Sequence, residues 1–234
     1  MRVELDGRLL SVAELVRQGA YFSDIGTDHA YLPIFLLERG KIERAVVSDV
    51  NEGPLLSARE NAEAAGLMDK MKFYLSNGAL SIPPLPITDY AICGMGGELI
   101  SEIIEASLER FTEKGVCLIL QPMTKHEHLL SYLASRGFEI QAEKYSSAAG
   151  RFYVAFSVHH TGRVKKISDF EAYFGMSPES DLTPEKLGFI KKIIKKLERA
   201  SAGKALSGEA GTKEEMLLSE IKSKIPNLQI KVFI

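Results

Sequence analysis

Four short apolar runs in the first hundred residues each end on a group that could hold part of a nucleoside. Ala20 to Ile25 carries Asp24 and ends on Gly26, within the stretch Y-F-S-D-I-G-T-D-H-A-Y-L-P from Tyr21 to Pro33. Ala45 to Val50 carries Asp49, 25 residues beyond Asp24. Lys72 to Leu75 runs into Ser76-Asn77-Gly78, and Asp89 to Cys93 into Gly94-Met95-Gly96-Gly97. Each group has a task. Gly26 lets the backbone approach a ligand closely. Asp49, with Val50 beside it, can accept hydrogen bonds from ribose hydroxyls. Asn77, with Gly78, can meet an adenine amino group. Gly94 and Gly96 leave room for a reacting group, with Met95 against it. In an open α/β sheet, ligands bind outside the carboxyl ends of the strands.

The first turn narrows the ligand. It reads D-I-G-T-D-H rather than G-x-G-x-x-G, and Asp28 and His29 stand where glycines are usual. A carboxylate there repels a pyrophosphate and attracts a cation. Asp24 and Asp28 therefore suit the sulfonium of S-adenosylmethionine and not NAD, and His29 is placed to meet the methionine part or a substrate base. Asp49-Val50-Asn51, followed by Leu55, Ala58 and Asn61, matches the D-x-N…L…A…N pattern common in methyltransferases that use this donor.

The elements that must position these groups follow from periodicity. Arg8 to Val16 has apolar residues at helical spacing and predicts a leading helix. Strands at about 20–25, 45–50, 72–75, 89–93 and 116–120 alternate with helices at about 30–39, 55–65, 98–108 and 125–136. The Ser76–Pro86 segment is a proline-rich loop. Phe138–Tyr145 and Phe152–His159 leave no room for a helix between them and must pair as an antiparallel hairpin. The expected fold is α/β, a Rossmann-like class I methyltransferase sheet of seven strands, mostly parallel and ending in that hairpin. Residues 1–162 form this domain. In residues 163–234, Ile167–Gly175 reads as a connector. Thr183-Pro184 opens a helix with a heptad-like seam at Leu187, Ile190, Ile194 and Leu197. Ser201–Gly211 reads as a loop and Lys213–Lys224 as a second helix, giving a small α-helical C-terminal hairpin; Leu228–Ile234 is apolar and carries no assignment.

Composition sets outer bounds. The chain has 234 residues, 45% of them hydrophobic, which suits one large domain with an appendage. No run approaches the ~18 apolar residues of a membrane span, and Met1-Arg2-Val3-Glu4 lacks the layout of a signal peptide, so a cytoplasmic protein is expected. Cys93 and Cys117 are expected as free thiols. His126-x-His128 and His159-His160 lack partners at metal-site spacing, so no metal is expected. Residues 1–162 hold 15 Lys/Arg against 21 Asp/Glu, and residues 163–234 hold 14 against 10. A basic tail on an acidic body points to a polyanionic partner.

Four motifs in order, D-I-G-T-D-H-A-Y-L-P, D-V-N-E-G-P-L, G-M-G-G-E-L-I and L-I-L-Q-P, closely resemble the TrmK family, the bacterial tRNA (adenine(22)-N(1))-methyltransferases. The resemblance covers roughly residues 5–160. It implies S-adenosylmethionine as cofactor, tRNA as partner, and methyl transfer to adenine N1 in the D-arm region. Residues 183–225 are similar to that family's helical extension in architecture only. Neither a metal nor a membrane enters, and a monomer or weak dimer is expected.

Adenine N1 already has a lone pair, so alignment rather than a strong base is the task. The base must leave its pairing edge to enter a pocket. Asp28 is the catalytic candidate, stabilising positive charge that grows on the ring near the 6-amino group; capping the next helix is its alternative role. Tyr31 could stack on the base or belong to the core. Gln121 and Pro122 are expected on the substrate side. Lys192, Lys195, Lys196 and Arg199, at helical spacings of three and four, are candidates for phosphate contact, with Arg8 a weaker one. Methylation of another RNA or a small molecule, a non-catalytic nucleotide- or RNA-binding module, and an NAD-dependent oxidoreductase are the rivals.

Overall fold

Val46 and Val47 are both fully buried although they point to opposite faces of one strand. A strand buried on both faces needs helices on both faces, and that is what surrounds it. The computed structural model describes residues 3–175, 178–207 and 212–226. The parallel strands are β1 (Ala20–Ile25), β2 (Ile42–Asp49), β3 (Met71–Leu75), β4 (Asp89–Gly96) and β5 (Cys117–Thr124). The sheet closes with β6 (Phe138–Ala148) and β7 (Arg151–His160), in the order β3-β2-β1-β4-β5-β7-β6. β7 is antiparallel to both β5 and β6. The reversed strand is thus inserted beside the parallel set, as expected. β6 thereby runs in the same direction as β5, and its end lies on the edge where β1 to β5 end.

One face packs on α1 (Gly7–Leu15), α2 (Tyr31–Glu38) and α3 (Glu52–Ala64). Val12, Ile34, Leu36, Ala58 and Ala62 meet Phe22, Val47, Ala91 and Ile119 there. The other face packs on α4 (Gly97–Ala106), the short α5 (Leu108–Phe111), α6 (His126–Ser135) and the C-terminal helices. Those helices are α7 (Asp169–Phe174), α8 (Pro184–Leu206) and α9 (Lys213–Lys224). Phe170, Phe174, Phe189, Ile193, Leu217 and Ile221 join Ile92, Leu118, Ile100 and Leu129 in one cluster. The change of character after residue 162 is therefore not a break in packing.

Several expectations need correction. Residues 167–175 are not a bare connector: Ser168 and Glu171 form a capping box that starts α7. α8 runs on to Leu206 through residues read as a loop; Lys204 at its end pairs with Glu214 of α9 at 2.9 Å. The buried stripe of α8 is broader than a heptad seam, because α8 packs on β6 and β7 as well as on α9. β4 does not stop at Cys93. It continues to Gly96 along β5, with register breaks around Met95 and Gly94 at φ +79°. A bulge of this kind re-aims side chains beside a site. Residues 228–234 lie outside the described residues.

Asp89 opens β4 with its side chain fully buried, and Arg17 holds it through both a backbone N–H (2.9 Å) and Nε (2.8 Å). The same guanidinium donates to the carbonyls of Thr88 and Gly115. Removing one partner of a buried charge leaves the other uncompensated. Arg17→Met is therefore expected to lower unfolding free energy by about 3 kcal/mol, read from urea denaturation; a loss within experimental error would show that Asp89 needs no counter-charge.

Candidate active site

Two backbone N–H groups set the first turn. Gly26 and Thr27 both donate to the carbonyl of Ser48, at 2.8 and 3.1 Å, so the end of β1 is pinned to the end of β2. Gly26 sits at φ +74°, and a Cβ there would collide with the Cε methyl of Met95. Glycine is thus required for both conformation and space. Ser76 N–H donates to the Asp49 carbonyl at 2.8 Å, which ties β3's end to β2's.

A cavity of about 340 Å³ opens at this edge, within the range of small-molecule sites. Asp24, Gly26, Thr27, Asp28, His29 and Tyr31 line it from the first turn, Cys93, Gly94 and Met95 from β4, and Arg8 and Leu9 from α1. Asp24 is buried, and the cost of desolvation lifts its carboxyl to about 6, with Asp49 adding to the rise and Thr27 opposing it. Asp28 is the reverse case, its side chain 85% exposed at the rim, with His29 Nε2 3.4 Å away. The His29 and Tyr31 rings stack at 5.1 Å. Burial and the nearby Asp24 push the Cys93 thiol far up, so it is a neutral wall and not a nucleophile. Both cysteines are free thiols.

The structure separates the candidates into groups. Asp24, Gly26, Asp28, His29, Tyr31, Gly94, Met95 and Arg8 meet in the cavity. Asp49, Val50, Asn77 and Gly78 stand at the neighbouring strand ends, outside its enclosed part; Val50 and Asn77 are exposed, and Asp49 accepts from the N–H of Asn51. Gly96 is the N-cap of α4, its position close to Thr124. Asp28 does not cap α2, which has no side-chain cap; Thr27 instead accepts from the N–H of Ala30, the residue before the helix, itself left-handed at φ 56°. Gln121 and Pro122 are corrected as well. Both are buried and neither lines the cavity in this structure. Gln121 instead accepts from Arg8 Nη1 (2.9 Å) and from the N–H of Gly94 (3.2 Å). Asn61 donates to the His29 carbonyl at 3.0 Å, which gives the last residue of the D-x-N…N pattern a role in holding the turn.

A second concavity, about 940 Å³, lies between α8 and the tip of the β6–β7 hairpin. Lys192, Lys195, Lys196 and Arg199 line it, joined by Arg151 and Lys191, over an apolar floor that includes Phe152 and Leu187. Arg151 went unnoticed in the sequence, whereas Lys191 belongs to the basic run that crowds this helix. Only Lys196 of the six has an acidic partner within 4 Å among the described residues, Glu127 at 2.9 Å. Lys192 donates to the Phe152 carbonyl, and its ammonium is held below its ordinary value by burial, then by Lys196 and Arg151. No cluster of potential metal ligands occurs among the described residues, and no helix there is long and apolar enough to cross a membrane.

The raised Asp24 carboxyl has a sign that can be measured. The folded, ligand-free site favours the protonated form, so its contribution to stability is full below about 4 and is lost as pH rises through about 6. Relative to Asp24→Asn, the wild type is expected to lose on the order of 2 kcal/mol between pH 4 and 7. Urea midpoints of the two proteins that run parallel across this window would contradict the assignment.

Comparison with known proteins agrees with this geometry. Residues 5–156 match the family model described as a methyltransferase domain. The chain is 30% identical to the Bacillus subtilis tRNA (adenine(22)-N(1))-methyltransferase over 201 residues, 86% of this chain and 84% of that one. It superposes with a TM-score of 0.78 and 36% identity on a Streptococcus pneumoniae protein solved in complex with S-adenosyl-L-methionine, covering 92% of this chain and 97% of that one. It superposes with a TM-score of 0.72 and 26% identity on M. capricolum TrmK, solved with the cofactor product S-adenosyl-homocysteine, covering 96% of each chain. The chain belongs to the methyltransferase-domain family and, within it, to the TrmK family of bacterial tRNA (adenine(22)-N(1))-methyltransferases.

Proposed function

We propose that this protein transfers a methyl group from S-adenosylmethionine to N1 of adenine 22 in tRNA. The observation that carries the reading is a cavity at the strand ends whose first turn presents Asp24, Asp28 and His29 where a pyrophosphate-binding turn would have glycines. The residues present fit the donor. Asp24, already poised near neutrality by burial, gains from a cationic ligand; Gly26 and Gly94, both at positive φ, bring backbone to the cavity wall. Asp49 would hold ribose hydroxyls and Asn77 the adenine edge. When bound, S-adenosylmethionine supplies an electrophilic methyl group on a sulfonium.

The chain's own residues have three tasks. Cavity walls built by Met95 and the His29–Tyr31 pair exclude water and bound the space an unpaired base can enter. No side chain need remove a proton from N1, because its lone pair attacks directly; the methylated base keeps the positive charge. Asp28, exposed at the rim and free of a capping bond, is the carboxylate that can face the 6-amino group as that charge develops. Asp24, behind it, stays with the donor.

For tRNA, the α8 groove offers six cations, five of them without an acidic partner within 4 Å among the described residues. β6 ends on the same edge of the sheet as β1 and β4, so groove and cavity share one side of the molecule. This arrangement supports docking of the phosphate backbone beside the methylated base. Cytoplasmic residence would go with this substrate.

Three measurements test the reading. Labelled S-adenosylmethionine with bacterial tRNA should yield N1-methyladenosine on nucleoside analysis, and a tRNA with adenine 22 replaced should yield none; methylation elsewhere would favour another RNA target. Asp28→Ala should slow single-turnover methylation by about a hundredfold while S-adenosyl-homocysteine binds as before; unchanged turnover would remove Asp28 from the chemistry. Replacing Lys191, Lys195 and Arg199 with Gln should lower the slope of log affinity for tRNA against log salt by about 2, without change in cofactor affinity. A slope that stays put would mean the groove is not where tRNA docks.

A further inference from the structure

The α8 groove offers more than charge. A site for phosphates alone needs cations, and six stand around this one. Between them lies an apolar floor of Phe152, Pro184 and Leu187, and no acidic side chain joins the lining among the described residues. Phe152 and Leu187 are half-buried, so part of each is open to the groove. A duplex has little use for such a floor. Its base faces are stacked inside it, and its surface offers phosphates and base edges.

Phe152 is held in that floor from several sides. A Cβ on Gly188 would collide with three neighbouring atoms of its ring, Cδ1, Cε1 and Cζ, at nearly equal distances. Near-equal distances to three neighbours put that point over the face of the ring, not off its edge. The ring therefore lies flat on α8, and a side chain at 188 would displace it. Glycine inside a helix costs stability relative to alanine, and the seat it makes for Phe152 accounts for it. Lys192, one turn further along α8, donates to the Phe152 carbonyl at 2.9 Å. On its own strand Phe152 pairs with Ser147, just beyond a tight turn at Ala149 and Gly150, both at positive φ. Ring and backbone are thus in place before a ligand arrives, which lowers the ordering cost of binding.

A flat apolar platform ringed by cations matches a planar base joined to phosphates. Given the tRNA docking proposed above, on which this rests, we infer that the groove takes an unpaired nucleotide of the RNA, its base against Phe152 and Leu187 and its phosphates on Lys191, Lys195 and Arg199. This is a second nucleotide and not the methylated one, because groove and cavity share no lining residue. Stacking on a ring reads no base edge, so the groove accepts any base and selects for its being unpaired. Substrate choice then rests on two exposed bases rather than one.

The test measures binding of a short oligouridine, which offers no adenine to the cavity, and of a blunt G·C duplex of the same length. Charge alone favours the duplex, which carries more phosphates. Wild type should nevertheless bind oligouridine more tightly, by about tenfold. Phe152→Leu keeps an apolar residue but removes the ring. It should bring the two affinities to within about twofold, with the slope of log affinity against log salt unchanged, because stacking releases no counterions. Phe152→Tyr should keep the preference. Both variants should bind S-adenosyl-homocysteine as wild type does, which checks the fold. A preference that survives Phe152→Leu, or a wild type that favours the duplex, overturns the inference and leaves the phosphate contacts of the groove standing. A salt slope that falls in Phe152→Leu also overturns it, since the ring then places cations rather than holding a base. Short polyglutamate bound as tightly as oligouridine overturns it in favour of an acidic protein partner. A tRNA salt slope that ignores the replacement of Lys191, Lys195 and Arg199 removes the docking reading itself, and this inference with it.

Discussion

The carbonyl of Ser48, accepting from Gly26 and Thr27 together, is the contact on which the site-bearing edge depends. It turns the chain sharply out of β1 and holds that turn against β2. Thr27 is then placed to accept from the N–H of Ala30 just before α2, Asp24 is left facing the cavity, and Asp28 and His29 are carried to the rim. Among the described residues these are the turn's backbone hydrogen bonds to the neighbouring strand end, and Asn61, donating to the His29 carbonyl, supports the turn from α3. Met95 closes over the same turn only because residue 26 lacks a Cβ.

Burial divides the work between two carboxylates that stand four residues apart. Asp24 is removed from water and made reluctant to ionise until a cation arrives. Asp28 remains in water and is always available. A site built this way can distinguish a charged donor from a neutral molecule of similar shape.

Much of this was legible in the sequence because strand ends have simple grammar. Apolar runs ending in Gly, Asp or Asn gave the sheet order its anchor points, and the hairpin followed from a gap too short for a helix. What stayed hidden depended on depth and on partners far along the chain. Gln121 ends an apolar run as Asn77 does, yet one is fully buried and the other exposed, and nothing local distinguishes them. The bulge near Gly94 is set by pairing with β5, so the fourth strand read as ending early. Ser201 and Gly203 weaken a helix by intrinsic preference, and the pairing of Lys204 with Glu214 that accompanies the helical outcome is a contact between elements. Thr27, between two aspartates, drew no notice, although it holds the turn.

The reversal of β7 has a metric consequence. By inserting one antiparallel strand, the sheet brings the end of β6 to the edge where β4 ends, three inter-strand steps away. At roughly 4.8 Å per step, three steps span about 15 Å across the sheet. Backbone hydrogen bonds set that width where β5 pairs with β7, from Leu118 to Leu120, and changes in the surrounding loops leave it unchanged. Any molecule that reaches both the cavity and the groove must match a spacing counted in strands.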